Sequence, residues 1–264
     1  MKPPSRIVTL TSDFGMQDGY VGALKGVILT LAPFTRLEDI AHDVPPQDIQ
    51  AGAWCLRRAA LRFPEGTVHL AVVDPGVGSL RAGVVVETER YFFIGPDNGL
   101  LSLAAQADGI RRVFEISETG PHWKKSQTFD GLNFFAPVAA LLADGHPPEE
   151  FGTEAEELAE LREPNPKAQG NVIEGEVILF DRFGNAITNI TRSHLGTRKV
   201  RRIILRSDTM VPMCAYYSEM AGNKNIGALV NSDDRLELSI FAGSAQKQHH
   251  LRAGDPVRVL LEPN

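Results

Sequence analysis

The apolar residues of this chain follow one rhythm up to about residue 160 and another beyond residue 170, and that single change limits the folds open to it. Upstream, residues 6–10, 68–73, 83–87 and 91–94 read as short strands. They alternate with residues 20–31 and 47–63, whose apolar positions recur three and four apart and which Pro33 and Pro64 stop. Gly95, Pro96, Asp97 and Asn98 read as a turn. A further helix is expected over 134–142, with Pro137 in its first turn and Gly145 ending it, and an acidic helix over 149–161. Downstream, residues 172–180, 200–205 and 236–241 read as strands separated by Gly, Asn and Asp turns. The expected class is α/β plus β. Residues 1–165 form an N-terminal α/β domain with a largely parallel sheet covered on both faces, a polar linker lies near 162–166, and residues 171–264 form a small antiparallel β-barrel.

Composition narrows the function classes. With 43% hydrophobic and 23% charged residues the chain can bury a core. A formal net charge of -6 supplies no global positive field for a nucleic-acid backbone, so nucleic acid is not an expected partner. The basic group Arg198, Lys199, Arg201, Arg202 and Arg206 reads as a solvated strand face. Cys55 and Cys214 have neither metal nor redox spacing and are expected to be reduced core residues; the seven histidines show no ligand spacing, so no metal is expected. No apolar stretch reaches the ~18 residues of a membrane span. A cytoplasmic location without membrane contact is the expectation.

Four polar segments begin where apolar runs stop, at residues 11–18, 74–81, 128–133 and 181–189. In open parallel sheets ligands bind beyond the carboxyl ends of strands, which favours the first two. Asp13 could bridge a ribose diol or serve as an N-cap. The segment Asp74-Pro-Gly-Val-Gly-Ser-Leu-Arg81 is not a dinucleotide fingerprint, because Arg81 takes the third glycine's place and a strand pattern follows. It does set a carboxylate and a guanidinium on one glycine-rich loop, where they can orient each other or a small molecule. Thr128, Phe129, Asp130 and Gly131 precede a helix, so Asp130 reads either as a cap or as a group facing a reactant. In Asp181-Arg-Phe183-Gly-Asn185, a hairpin turn and an adenine-reading Asn beside an aromatic ring are both open.

In order, TLTSDFG with DGYVGALKG, VVDPGVGSLR, FIGPDNGLL, TFDG with FAPVAALLA, FDRFGNAITNI and NSDDRLELSI resemble the S-adenosyl-L-methionine hydroxide adenosyltransferase family, which is related to the fluorinating and chlorinating enzymes acting on the same substrate. The resemblance implies an N-terminal α/β domain, a C-terminal β-barrel and a homotrimer with sites between neighbouring subunits. It implies hydrolysis of S-adenosyl-L-methionine to adenosine and methionine, with no cofactor beyond the substrate itself. By the same resemblance Asp74 and Arg81 activate water, joined by a residue in the place of Asp130. Asp13 holds the ribose hydroxyls, Asp181 the methionine ammonium and Asn185 the adenine edge, while Thr128, Phe129 and Phe183 line the substrate and Ser232 meets the methionine carboxylate. This chain departs from the family pattern at several positions. Asp130 stands for its His, Leu132 and Asn133 for an Arg and an Asp, Asp233 for the halogenating relatives' Arg, and Ser244 for an Asn. A binding protein that has lost the catalytic His is the rival reading.

Overall fold

The computed structural model describes residues 4–221 and 225–263, which divide into one compact unit over Met1–Leu161 and another over Arg162–Asn264. The first unit carries β1 (Ile7–Ser12), α1 (Tyr20–Leu31), β2 (Arg36–Ala41), α2 (Ile49–Ala60), β3 (Val68–Val72), β4 (Gly83–Thr88), β5 (Phe92–Pro96), α3 (Ser102–Asp108), β6 (Ile110–Ile116), α4 (Ala136–Asp144) and β7 (Gly152–Ala155). Its sheet has the order β2-β1-β3-β5-β4-β6-β7. Strands β2, β1, β3 and β5 pair in parallel; β4 is antiparallel to β5 and β6, and β6 to β7. Five of the seven strands therefore point the same way, with β4 and β7 reversed.

Alternation along the strands sends side chains to both faces of the sheet. Val8, Leu10, Leu70, Val85 and Ile94 join a core with Leu24 and Ile28 of α1 and Val138 and Leu142 of α4. On the opposite positions Thr9 Oγ1 lies 2.7 Å from His69 Nδ1, and the His69 ring stacks on Phe93 with centroids 4.9 Å apart. Burial pushes His69 down to about 3, so it is a neutral core residue.

Three local expectations change. Gly95 and Pro96 end β5 instead of starting a turn; a Cβ on Gly95 would lie 2.2 Å from the Ala71 carbonyl oxygen, so the close approach of β3 explains the glycine. The helix expected over 134–142 begins with a π-helical turn, Gly131–Phe135, before α4. Residues 149–161 are not a helix: a short 3-10 turn Pro148–Glu150 leads into β7, which pairs with β6, and sheet-edge pairing outweighs the helix preference of the Glu, Ala and Leu residues there.

In the second unit β8 (Lys167–Gln169), β9 (Val172–Phe180), β10 (Ala186–Thr191), β11 (Val200–Leu205), β12 (Thr209–Val211), β13 (Gly227–Val230), β14 (Arg235–Ser239) and β15 (Pro256–Leu261) form an antiparallel sheet. Its path is β12-β11-β15-β9-β10-β14-β13, with β8 on β9. Past β12, Cys214 N donates to Ala228 O at 2.7 Å and Ala228 N to Pro212 O at 2.8 Å, which draws the two ends of the path together into a nearly closed barrel. Ile173, Val177, Leu205, Leu236, Leu238 and Val259 fill its core. The segment 162–166 belongs to this unit, since Asn189 Nδ2 donates to Pro164 O at 2.7 Å and Glu163 pairs with buried Arg235. Cys55 and Cys214 are free but half-buried, not core residues, while Lys199, Arg201, Arg202 and Arg206 are exposed.

Candidate active site

Ser12 pairs with Val72 at the carboxyl ends of neighbouring parallel strands, so Asp13 and Asp74 leave the sheet side by side, one and two residues beyond that pair. Asp74 opens the loop that returns through Arg81 to β4. Arg81 Nε donates to Asp74 Oδ1 at 3.1 Å and Oδ2 at 3.0 Å, and Nη2 donates to both Asp74 Oδ2 and Asp130 Oδ2. The three side chains are nearly closed off, with 5% of Asp74, 10% of Arg81 and none of Asp130 exposed. Two carboxylates share one guanidinium, leaving one net formal negative charge in a largely buried cluster.

The surrounding backbone fixes this geometry. Gly76 N donates to Asp74 Oδ1 at 3.1 Å and Ser126 N to Asp130 Oδ1 at 2.6 Å, so each carboxylate is held by a main-chain amide as well as by Arg81, on separate oxygens in Asp130 and with Oδ1 shared in Asp74. The Asp130 side chain makes no cap bond to the helix that follows, which removes the plain N-cap reading. Gly78 has φ +81 and a Cβ there would stand 2.6 Å from the Gln127 carbonyl oxygen, so only glycine lets the Asp74–Arg81 loop meet the segment before Asp130. Arg81 also lies 5.3 Å over the Phe135 ring, and Lys125 Nζ donates to the Arg81 carbonyl at 3.1 Å. Lys125 and Ser126 carried no signal in the sequence and Phe135 only that of its helical motif, because each acts here through a contact made in space.

Asp13 is half-buried and its Oδ2 accepts from Gln47 N at 2.8 Å. Phe129 packs edge-on to Phe14 and Tyr20, both with centroids 5.2 Å away, whereas Thr128 is exposed.

In the second unit Asp181 Oδ1 accepts from Phe183 N and Asn185 N, each at 2.9 Å, and Oδ2 from Asn185 Nδ2 at 2.9 Å. The hairpin-turn reading is what the structure shows, and this turn forms one wall of a cavity of about 560 Å³. Gly184, at φ +79, would bring a Cβ within 2.0 Å of Ser244 Oγ, so glycine seats the turn against the opposite wall. Asn185 is buried and Phe183 is 75% exposed at the rim. The strand begins at Ala186, so 181–185 alone is the turn and 186–189 belong to β10. Tyr217, Phe241 and Ser244 also line the cavity; Ser232 does not, and sits exposed on the turn between β13 and β14. Among the described residues no group of three His, Cys, Asp or Glu side chains could hold a metal ion.

Residues 8–152 match the SAM hydroxide adenosyltransferase N-terminal domain and residues 175–258 its C-terminal domain. The chain is 40% identical over 265 residues to an (R)-S-adenosyl-L-methionine hydrolase of Thermus thermophilus, covering 97% of this chain and 100% of that one. It is 34% identical to a protein of the same name from Methanocaldococcus jannaschii, over 96% of this chain and 95% of the relative. A crystal structure of an uncharacterized conserved protein from Thermotoga maritima superposes with a TM-score of 0.86 at 32% identity, covering 96% of this chain and 99% of that one. The chain therefore belongs to the SAM hydroxide adenosyltransferase family.

Proposed function

We propose that this protein hydrolyses S-adenosyl-L-methionine to adenosine and L-methionine. The observation that carries this reading is the buried Asp74–Arg81–Asp130 cluster, formed at the three positions that the family pattern places at the water, with Asp130 in the place of its His. Relatives named as hydrolases, similar over nearly the full chain, support it.

In the reaction, a water oxygen bonds to the ribose C5′ as the C5′–S bond breaks in line. The electron pair goes to sulfur, which leaves as the neutral thioether of methionine, so no general acid is needed. Asp74 and Arg81 orient the water. Asp130 accepts its proton or, where solvent takes the proton, supplies negative charge near the sulfonium. The cluster's net negative charge suits a cationic substrate. It also opposes a halide nucleophile, since two unit charges ~4 Å apart repel by about 4 kcal/mol at an effective dielectric near 20. Atoms and charge balance without a cofactor.

Asp13 holds the ribose hydroxyls, with Thr128 and Phe129 beside them. Asn185 reads the adenine edge against Phe183, Asp181 meets the methionine ammonium and Ser232 the carboxylate. The assembly is a homotrimer with sites between neighbouring copies. Two exposed apolar side chains on the site loops, Leu80 at 99% and Phe183, support a site that another copy covers.

Chromatography of the purified protein with each sulfonium epimer of S-adenosyl-L-methionine tests the reading. Equimolar adenosine and methionine from the R epimer, lost in Arg81→Ala, is the expected result. Saturable binding with no product above spontaneous breakdown would instead mark a binding protein.

A further inference from the structure

Alternation along β14 turns Leu236 and Leu238 into the barrel core and leaves Arg235, Glu237 and Ser239 on the other face, where solvent would be expected. Glu237 is nevertheless only 3% exposed. Arg235, two residues away on that face, is paired with Glu163. The Glu237 carboxylate is held by three neutral donors: Tyr217 Oη at 2.8 Å and Ser239 Oγ at 2.7 Å on Oε1, and Asn231 Nδ2 at 3.1 Å on Oε2. Among the described residues the donors bonded to this buried carboxylate are neutral, a costly arrangement that calls for a reason beyond packing.

Each side of this carboxylate leads to a part of the substrate site. On one side, Tyr217 lines the cavity that contains Asn185, and its hydroxyl is tied down by Glu237. On the other, Asn231 Oδ1 accepts from Asp233 N at 2.9 Å and Arg235 N at 3.1 Å, which shapes the turn that carries Ser232. One buried side chain thus fixes both the cavity wall and the neighbouring turn.

We propose that Glu237 is a positioning residue for substrate binding, holding Tyr217 at the adenosyl cavity and the Asn231 turn in one register. This rests on the reading of the cavity as the adenosyl site. Glu237→Gln keeps the size but removes the charge and makes one acceptor a donor: either the Asn231 bond is lost, or the amide turns its nitrogen to Tyr217 and Ser239, whose hydroxyls must then accept, so the charge-assisted bond that Tyr217 Oη donates is lost in both orientations. Tyr217→Phe removes the hydroxyl that Glu237 holds, at a partly exposed position.

Calorimetric titration of wild type, Glu237→Gln, Tyr217→Phe and the double variant with S-adenosyl-L-methionine and with adenosine reads the effect directly, alongside kcat at saturation. Glu237→Gln weakens both ligands by roughly tenfold and Tyr217→Phe by roughly threefold, the range of a lost buried hydrogen bond. The double variant is no weaker than Glu237→Gln, because both changes act through the same bond, and kcat stays within about threefold of wild type. Affinities within about twofold of wild type in Glu237→Gln, or losses that multiply in the double variant, would overturn the proposal. If Glu237→Gln does not fold, an unchanged affinity in Tyr217→Phe overturns it and a threefold loss supports it. Wild type that binds both ligands but releases no product contradicts the hydrolase reading alone, since the affinities still decide the role of Glu237.

Discussion

The Asp74–Arg81–Asp130 cluster and the cavity beside Asn185 solve opposite problems. The first is polar and closed, with two carboxyl groups and a guanidinium locked by one another and by main-chain amides. The second is open and largely aromatic and backbone-lined, with Asp181 as the charged group on its wall and the Glu237 carboxylate set behind Tyr217. A charged cluster with fixed dipoles favours charge redistribution at one atom, whereas an apolar slot with a single planar amide favours recognition of a flat ring. On the proposed reading the cluster carries the chemistry and the cavity reads the adenine, with Asp13 adding ribose recognition in the first unit, and the comparison predicts that substitutions at the cluster and at the cavity will separate kcat from KM.

The largest expected effect is in the first region. Arg81→Ala leaves two buried carboxylates facing each other and should lower kcat by roughly a thousandfold; a drop confined to KM would erase the contrast between the regions. Asp130→Asn keeps the shape but removes the charge and should lower kcat by roughly a hundredfold, with S-adenosyl-L-methionine affinity by calorimetry nearly intact. Unchanged turnover would remove Asp130 from the mechanism. In the second region Asn185→Ala should raise KM about tenfold at nearly constant kcat, read from steady-state kinetics. The smallest effect is on stability rather than rate. His69 is neutral in the fold down to about pH 3, whereas the unfolded chain takes up that proton below its ordinary value near 6.5. Stability should therefore fall as pH drops from 6.5 toward 3, by at most about 1.4 kcal/mol per pH unit. His69→Phe should flatten that slope in urea titrations without touching the pH profile of kcat, which separates acid unfolding from titration at the cluster.

The sequence made the strand and helix alternation legible because periodicity reports burial directly, and the ends of those runs pointed to Asp13 and Asp74. Asp130 was legible as a polar residue before a helix. That it serves Arg81 instead of the helix depends on the Asp74–Arg81 loop reaching the Gln127 carbonyl, a contact between residues about fifty positions apart that no local pattern encodes. Glu237 was hidden for the opposite reason. In LELSI it looks like an outward-facing residue of a half-buried strand, and only the second layer of polar side chains over β14 buries it. The acidic stretch 149–161 misled because sheet-edge pairing by β7 is likewise invisible in local composition.

The most direct test of the central claim is incubation with S-adenosyl-L-methionine in water labelled with heavy oxygen, followed by mass spectrometry of the nucleoside. Adenosine carrying the label at its 5′ oxygen, formed by wild type and not by Arg81→Ala, is the predicted result. Unlabelled adenosine, or none above spontaneous breakdown, would contradict attack by water at C5′.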